Sequence, residues 1–227
     1  MTKIIVSYDG TDNDRDALAL GGALAGAGAS IELAYVRHTH EAERGRERFA
    51  ADEARALLER GAAALGQPGL PVHVVLSGST AQGLRELAVS EQADMIVFGS
   101  EYRTAPSHVD PQASARRLLD GGPVAIALAP AGFAENGASR FETIVAISED
   151  GDPCAEETAE SLAQHFGGVV ARHAGGTADL LVIGSKPGTV TGRITISAAA
   201  DYLIDLARSP VIVLPRGVPV LFGGGGG

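Results

Sequence analysis

The side chains in this chain that could do chemistry fall into a few small groups. His38 and His40 alternate as the chain leaves an apolar run, with Glu41 and Glu43 just behind. Two imidazoles so spaced point the same way and could share a metal, but no cysteine or further histidine completes a ligand set. The segment therefore reads as a solvated loop between a strand and a helix. His108 stands two residues before Asp110, close enough for an acid–base dyad, yet no nucleophile lies in a matching motif. His73 falls in mid-strand and reads as a packed or edge residue. Cys154 follows Asp152-Pro153, an N-cap and first-turn proline. A helix start lowers a thiol's pKa, although a small residue filling that turn is the simpler reading. No catalytic residue and no metal site is expected.

The composition excludes several classes of function. The chain has 227 residues, 28 acidic and 18 basic, a formal charge of −10 and only 4% aromatics. An acidic surface without stacking platforms argues against sequence-independent nucleic-acid binding. The hydrophobic share of 45% is too high for disorder. A single cysteine, Cys154, permits no internal disulfide and fits a reducing compartment. No apolar run reaches the ~20 residues of a membrane helix, and the start lacks a signal-peptide core. A cytoplasmic protein is expected.

Positioning any site falls to alternating strands and helices. Residues 3–8 read as a buried strand, and Thr11 with Asp14 resembles a capping box that opens a helix to about Gly26. Strands follow at 30–36, 72–76, 94–98 and 124–128, with helices at 42–65, 81–89 and 113–119 between them. The Glu/Arg run from Glu41 to Arg60 is a charged helix face with i,i+4 pairs. Such alternation implies right-handed crossovers and a parallel sheet covered on both faces.

The pattern then restarts. Ala93-Asp94-Met95-Ile96-Val97-Phe98-Gly99-Ser100 returns as Ala178-Asp179-Leu180-Leu181-Val182-Ile183-Gly184-Ser185, identical at five of eight positions. Ile5-Val6 matches Ile144-Val145, Arg37-His38 matches Arg172-His173, and Pro123-Val124 matches Pro210-Val211, with offsets of 139, 135 and 87. The second copy is thus shorter by about 54 residues, most of them lost after its second strand. A parallel crossover takes a dozen or more residues. Residues 169–172 are therefore expected to be short, vestigial or antiparallel at an edge, with fewer than four aligned parallel strands after residue 141. The division expected is a complete α/β domain at 1–131, an abbreviated second domain at 141–217 and a flexible tail at 218–227. The final strands of the two copies, 124–128 and 211–214, are expected to pair antiparallel, so that the chain forms an intramolecular pseudo-dimer.

The phrases Ile4-Ile5-Val6-Ser7-Tyr8-Asp9-Gly10, Asp94-Met95-Ile96-Val97-Phe98-Gly99-Ser100 and Ser209-Pro210-Val211-Ile212-Val213-Leu214, in this order, resemble the universal stress protein family. The arrangement is similar to its tandem, two-lobe members, those of actinobacteria in particular, with the second lobe truncated. The resemblance implies a doubly wound sheet of order 3-2-1-4-5 in the first lobe, with ATP bound at the switch between strands one and four. It implies contacts with ATP at Asp9, Val36, Gly99, Ser100 and Ser114.

The chain departs from the family's phosphate motif, G-x2-G-x9-G-[ST]. Tyr102 and Gln112 stand at the second and third glycine positions with Ala113 next, while Pro106 and Pro111 stiffen the loop. Arg103, Arg116 and Arg117 supply positive charge nearby. In the second lobe Asp150 matches Asp9, Gly184 matches Gly99, and Pro187, Ser197 and Ala198 fill the later positions. Lys186, Gly188, Gly192 and Arg193 keep that loop flexible and basic, but the strand-two wall for an adenine is missing. The expectation is a non-catalytic stress-response module whose ATP binding is weak or lost, acting through an unknown regulatory protein partner and needing no nucleic acid or membrane. An adenylating, ATP-dependent enzyme on a related fold is the first alternative and an electron-transfer flavoprotein-like subunit the second. No Walker-type phosphate signature and no flavin domain is present for either.

Overall fold

The computed structural model describes residues 1–38, 44–136, 140–171 and 178–223, the side chains of 44–49 and 136 excepted. Apolar β-branched runs form the strands, and the Ala/Leu-rich stretches between them form the helices. The leading half contains β1 (Lys3–Ser7), α1 (Asp12–Gly26), β2 (Ser30–His38), α2 (Arg44–Ala64), β3 (Val72–Ser77), α3 (Thr80–Ser90), β4 (Met95–Phe98), α4 (Ala113–Leu118) and β5 (Ala125–Leu128). The trailing half contains β6 (Thr143–Ile147), α5 (Cys154–Phe166), β7 (Val169–Ala171), β8 (Leu180–Ile183), α6 (Ala198–Leu206) and β9 (Val211–Val213). Together they build one nine-stranded sheet of order β3-β2-β1-β4-β5-β9-β8-β6-β7. The fold is α/β with a sheet in which β5 and β9 alone pair antiparallel. Strands β4, β5, β8 and β9 are buried at every residue, as parallel strands covered on both faces must be.

The β5–β9 ladder pairs Ile126 with Val213, Ala127 with Ile212 and Leu128 with Val211. Ile126 corresponds to Val211 and Leu128 to Val213, because β4 and β8 make the same parallel pairs with them 85 residues apart. The ladder is therefore self-complementary, like an isologous contact between two copies of one surface. Gly121 N–H donates to Ile194 O at 2.7 Å and Ile194 N–H to Gly122 O at 2.9 Å, a second tie between the halves. Both apolar clusters, one on each face of the sheet, draw residues from both halves.

Four sequence expectations change. First, β7 is short and at the sheet edge but parallel to β6, so four strands after residue 141 run parallel. The crossover argument fails because β7 has three residues: Ala171 ends level with Val145 and Leu180 begins level with Ile144. The chain must regain only ~3.3 Å along the strands and cross two spacings of ~4.8 Å.

Second, the repeat offsets are set by strand register. Ile4 pairs with Met95 and Ile31, while Ile144 pairs with Leu180 and Val170. Ile4 thus corresponds to Ile144, an offset of 140, which makes Glu149, not Asp150, the counterpart of Asp9. The Pro123-Val124 and Pro210-Val211 match is out of register by two residues, since β5 and β9 keep the offset of 85. The β2–β7 offset is 139 rather than 135, and Arg172-His173 lies outside the described residues.

Third, the segment 218–223 is no flexible tail. Val220 and Phe222 are buried in the core, and their N–H groups donate to Thr158 Oγ1 (2.9 Å) and Ser161 Oγ (2.7 Å) of α5. Thr2 Oγ1 donates to Leu221 O, so the strap also reaches the leading half. Fourth, Thr11 makes no side-chain cap on α1; Asp14 turns back instead to accept from the Asp9 and Gly10 N–H groups. The linker begins as a 3-10 turn, Ala134–Asn136, tied down by the buried Asp16 carboxylate, which accepts from the Gly132 and Ala134 N–H groups at 2.8 Å each.

Candidate functional site

Where β1 and β2 end, their carboxyl ends diverge from the helices that follow and leave a cavity of about 220 Å³. Ser7, Tyr8 and Asp9 form one wall, Ala34, Tyr35, Val36 and His38 a second, and Thr80, Gln112 and Ser114 the helix starts opposite. Asp14 closes the floor; it is 4% exposed, and burial together with the neighbouring Asp9 pushes its carboxyl up to about 8. Burial, with Asp14 next in weight, also raises the Tyr8 phenol.

Of the five residues expected to contact a nucleotide, the fold brings three together: Asp9, Val36 and Ser114 all line this cavity. Gly99 and Ser100 do other work. A Cβ at Gly99 would sit 2.1 Å from the Asn13 carbonyl oxygen, so the glycine admits the start of α1 against the end of β4. Ser100 is buried; its hydroxyl meets Ala129 O (2.7 Å) and His108 O (3.3 Å) and receives the Asp110 N–H (3.2 Å). It is a clasp that folds the loop 100–111 onto itself. Asp14, which sequence reading took only for a capping residue, belongs to the site. The signal available was its place in the first turn of α1, five residues beyond Asp9.

The trailing half repeats the clasp and changes the crevice. Ser185 Oγ meets Leu214 O (2.7 Å) and Arg193 O (3.3 Å) and receives the Thr195 N–H (3.2 Å), each partner 85 residues beyond its leading counterpart. At the carboxyl end of β6, however, the Glu149 carboxylate takes the hydroxyl of Ser197, the N-cap of α6. Arg216 donates to the carbonyls of Glu149 (3.0 Å) and Ser185 (3.3 Å) and sits 3.6 Å from the buried Asp152 carboxylate. Burial works against the charge on Asp152, but the Cys154 thiol, two backbone N–H groups and Arg216 outweigh it and hold the carboxyl low.

The remaining candidates resolve individually. Burial, aided by Asp152, pushes the Cys154 thiol up to about 12, which makes it a packed residue and not a sensor. His108 Nδ1 contacts Pro106 O at 3.0 Å, and Asp110 pairs with Arg116 at 2.8 Å, so no dyad forms. His40, Glu41 and Glu43 lie outside the described residues. His73 meets Glu32 (2.8 Å) at the far end of the sheet. Glu32, His73 and Glu91 are close enough there to share a cation, and the Lys3 ammonium already stands 3.1 and 3.6 Å from the two carboxylates. No periodic pattern in the residues marks that group, which with Lys3 spans β1, β2, β3 and the end of α3.

The model of the universal stress protein family matches residues 1–115. A universal stress protein from Archaeoglobus fulgidus superposes over 95% of this chain and 98% of its own, with a TM-score of 0.71 at 14% identity. A functionally unknown protein from Pseudomonas aeruginosa covers 96% of this chain and 93% of its own, with a TM-score of 0.61 at 14% identity. At these identities the likeness is one of fold. No curated protein sequence matches. No helix among the described residues is long and apolar enough to cross a membrane. The strand order, the crevice beside Asp9 and the match over half the chain together make it a member of the universal stress protein family.

Proposed function

We propose that the chain is a non-catalytic, stress-linked regulatory module that binds an adenine nucleotide weakly, and only in the leading crevice. It is read as a tandem of a full half (1–131) and an abbreviated half (141–217) acting as a pseudo-dimer inside one molecule, cytoplasmic and working through a protein partner. The observation that carries this reading is the convergence of Asp9, Val36 and Ser114 on one cavity at the carboxyl ends of the strands. Its non-catalytic character is supported by the Cys154 thiol, which is held protonated, and by the buried Ser100 and Ser185 hydroxyls, which are spent on carbonyls. Weak rather than tight ATP binding is supported by Tyr102 and Gln112 at positions where glycines would let a backbone approach phosphate.

Isothermal titration of the full chain with ATP and AMP in the presence of magnesium tests the reading. Weak binding that disappears in Asp9→Ala and Ser114→Ala, with no phosphate release above background, is the expected result. Silence from both nucleotides would leave a scaffold without a ligand. Release of phosphate or pyrophosphate would restore the adenylating-enzyme alternative.

A further inference from the structure

The leading crevice has what a base and sugar need and lacks what phosphates need. Among its described lining residues there is no lysine or arginine; the lining comprises the Asp9 carboxylate, the Asp14 carboxyl, hydroxyls, the Gln112 amide, the His38 imidazole, which meets the Thr80 hydroxyl at 3.5 Å, and the apolar wall of Ala34 and Val36. A carboxylate accepts N–H and O–H donors and repels an anion. At about 220 Å³ the cavity lies below the ~300–1,000 Å³ of ordinary ligand pockets, so a triphosphate would have to lie outside it, along the loop 100–111.

Most of that loop's backbone donors are already taken, and its arginine, Arg103, stands over the Tyr102 ring at 5.5 Å and is not among the residues that line the cavity. The N–H groups of Glu101, Thr104, Ser107, His108 and Asp110 donate to Asp110 O, Glu101 O, Ala131 O, Ala105 O and Ser100 Oγ. The Tyr102 N–H donates to the Glu101 carboxylate at 3.0 Å, so an internal anion holds the place a phosphate oxygen would take. Arg116 is committed to Asp110 at 2.8 Å, with Asp201 and Asp205 of α6 at 3.9 and 4.0 Å. Helix α4 is only six residues long and makes a poor anion site.

From these observations we infer that the crevice selects the nucleoside end of its ligand, taking base and ribose and giving the phosphates no hold, so that an uncharged nucleoside outcompetes the nucleotide. This rests on the adenine-binding reading above and specifies its ligand class. The Asp9 carboxylate accepts from ribose hydroxyls or the exocyclic amine, and Val36 packs against the ring.

The test is isothermal titration of the full chain with adenosine, AMP and MgATP at 50 and 500 mM NaCl. Adenosine should bind about tenfold tighter than MgATP at low salt, with AMP between them. Higher salt should narrow the gap by weakening the repulsion while leaving adenosine unchanged. The exposed substitution Glu101→Gln, which frees the Tyr102 N–H from a charge, should raise MgATP affinity several-fold and leave adenosine unaffected. MgATP binding tighter than adenosine, or Glu101→Gln changing both ligands alike, overturns the inference while leaving the adenine-binding reading intact. Failure of all three compounds to bind overturns that reading and the inference with it.

Discussion

The ends of β1 and β4 and those of β6 and β8 share strand register, a serine clasp and a loop hydrogen-bonded in the same way, yet the carboxylate that follows the first strand is differently engaged in the two halves. In the leading half Asp9 faces a cavity, and Gln112 opens α4 without a side-chain cap. In the trailing half the same positions carry Glu149 and Ser197, and the carboxylate, longer by one methylene, reaches the hydroxyl that caps α6. Arg216 then ties the chain after β6 to the loop after β8, where the leading half has Ala131. Matching strand register thus leaves the end of the crevice free to differ through two side chains that satisfy each other.

The largest effect expected from breaking this comparison is at Arg216. Replacing it with methionine leaves the Asp152 carboxylate, 4% exposed, without its cation, at a cost of about 3–5 kcal/mol in denaturant unfolding. A loss below about 1 kcal/mol would mean that Arg216 does not hold the chain after β6 to the loop after β8.

Asp14 sharpens the other side. Its carboxyl titrates near 8 in the folded chain and near ~3.9 when unfolded, so the folded state holds the extra proton between those values. Stability therefore falls as pH rises from about 4 to about 8 and levels off above. Asp14→Asn keeps the acceptor for the Asp9 and Gly10 N–H groups and removes the titration. It should flatten that slope and be more stable than the parent at pH 9 by about 2–4 kcal/mol. Equal slopes in thermal unfolding across this range would show that Asp14 ionises freely.

Smaller effects test the equivalence of the two loops. Ser100→Ala and Ser185→Ala each leave buried backbone groups unpaired and should each cost about 1–3 kcal/mol. The two costs should agree within about 0.5 kcal/mol, since both hydroxyls make the same bonds in the same geometry. The smallest pair concerns the helix starts. Ser197→Ala should lose about 1 kcal/mol, and Gln112→Ser should gain up to about 1 kcal/mol by supplying α4 with the cap it lacks. No gain at Gln112 would show that α4 is held by packing alone.

Much of the architecture was legible in the residues. Lys3–Ser7, Met95–Phe98 and Leu180–Ile183 are short apolar runs closed by polar or glycine turns, and such runs become buried parallel strands whatever surrounds them. Asp9, Val36 and Ser114 could be placed because each stands at the end of a strand or the start of a helix. Ser100 and Gly99 line no part of the cavity and pack instead against neighbouring backbone, since a small residue beside a loop serves packing as readily as binding and only its surroundings decide. The assignment of Asp150 failed because aligning letters put aspartate on aspartate, while hydrogen-bond register put Glu149 there.

The sequence by itself determined the alternation of strands and helices and the restart of the pattern after residue 140. These follow from periodicity and residue type, which act over a few neighbours. Only the tertiary structure decided that β7 runs parallel, that 218–223 straps α5 to Thr2, and that Glu149 meets Ser197 while Asp9 faces a cavity. Those outcomes depend on pairs tens to hundreds of residues apart, whose meeting is set by strand register and packing rather than by any local preference.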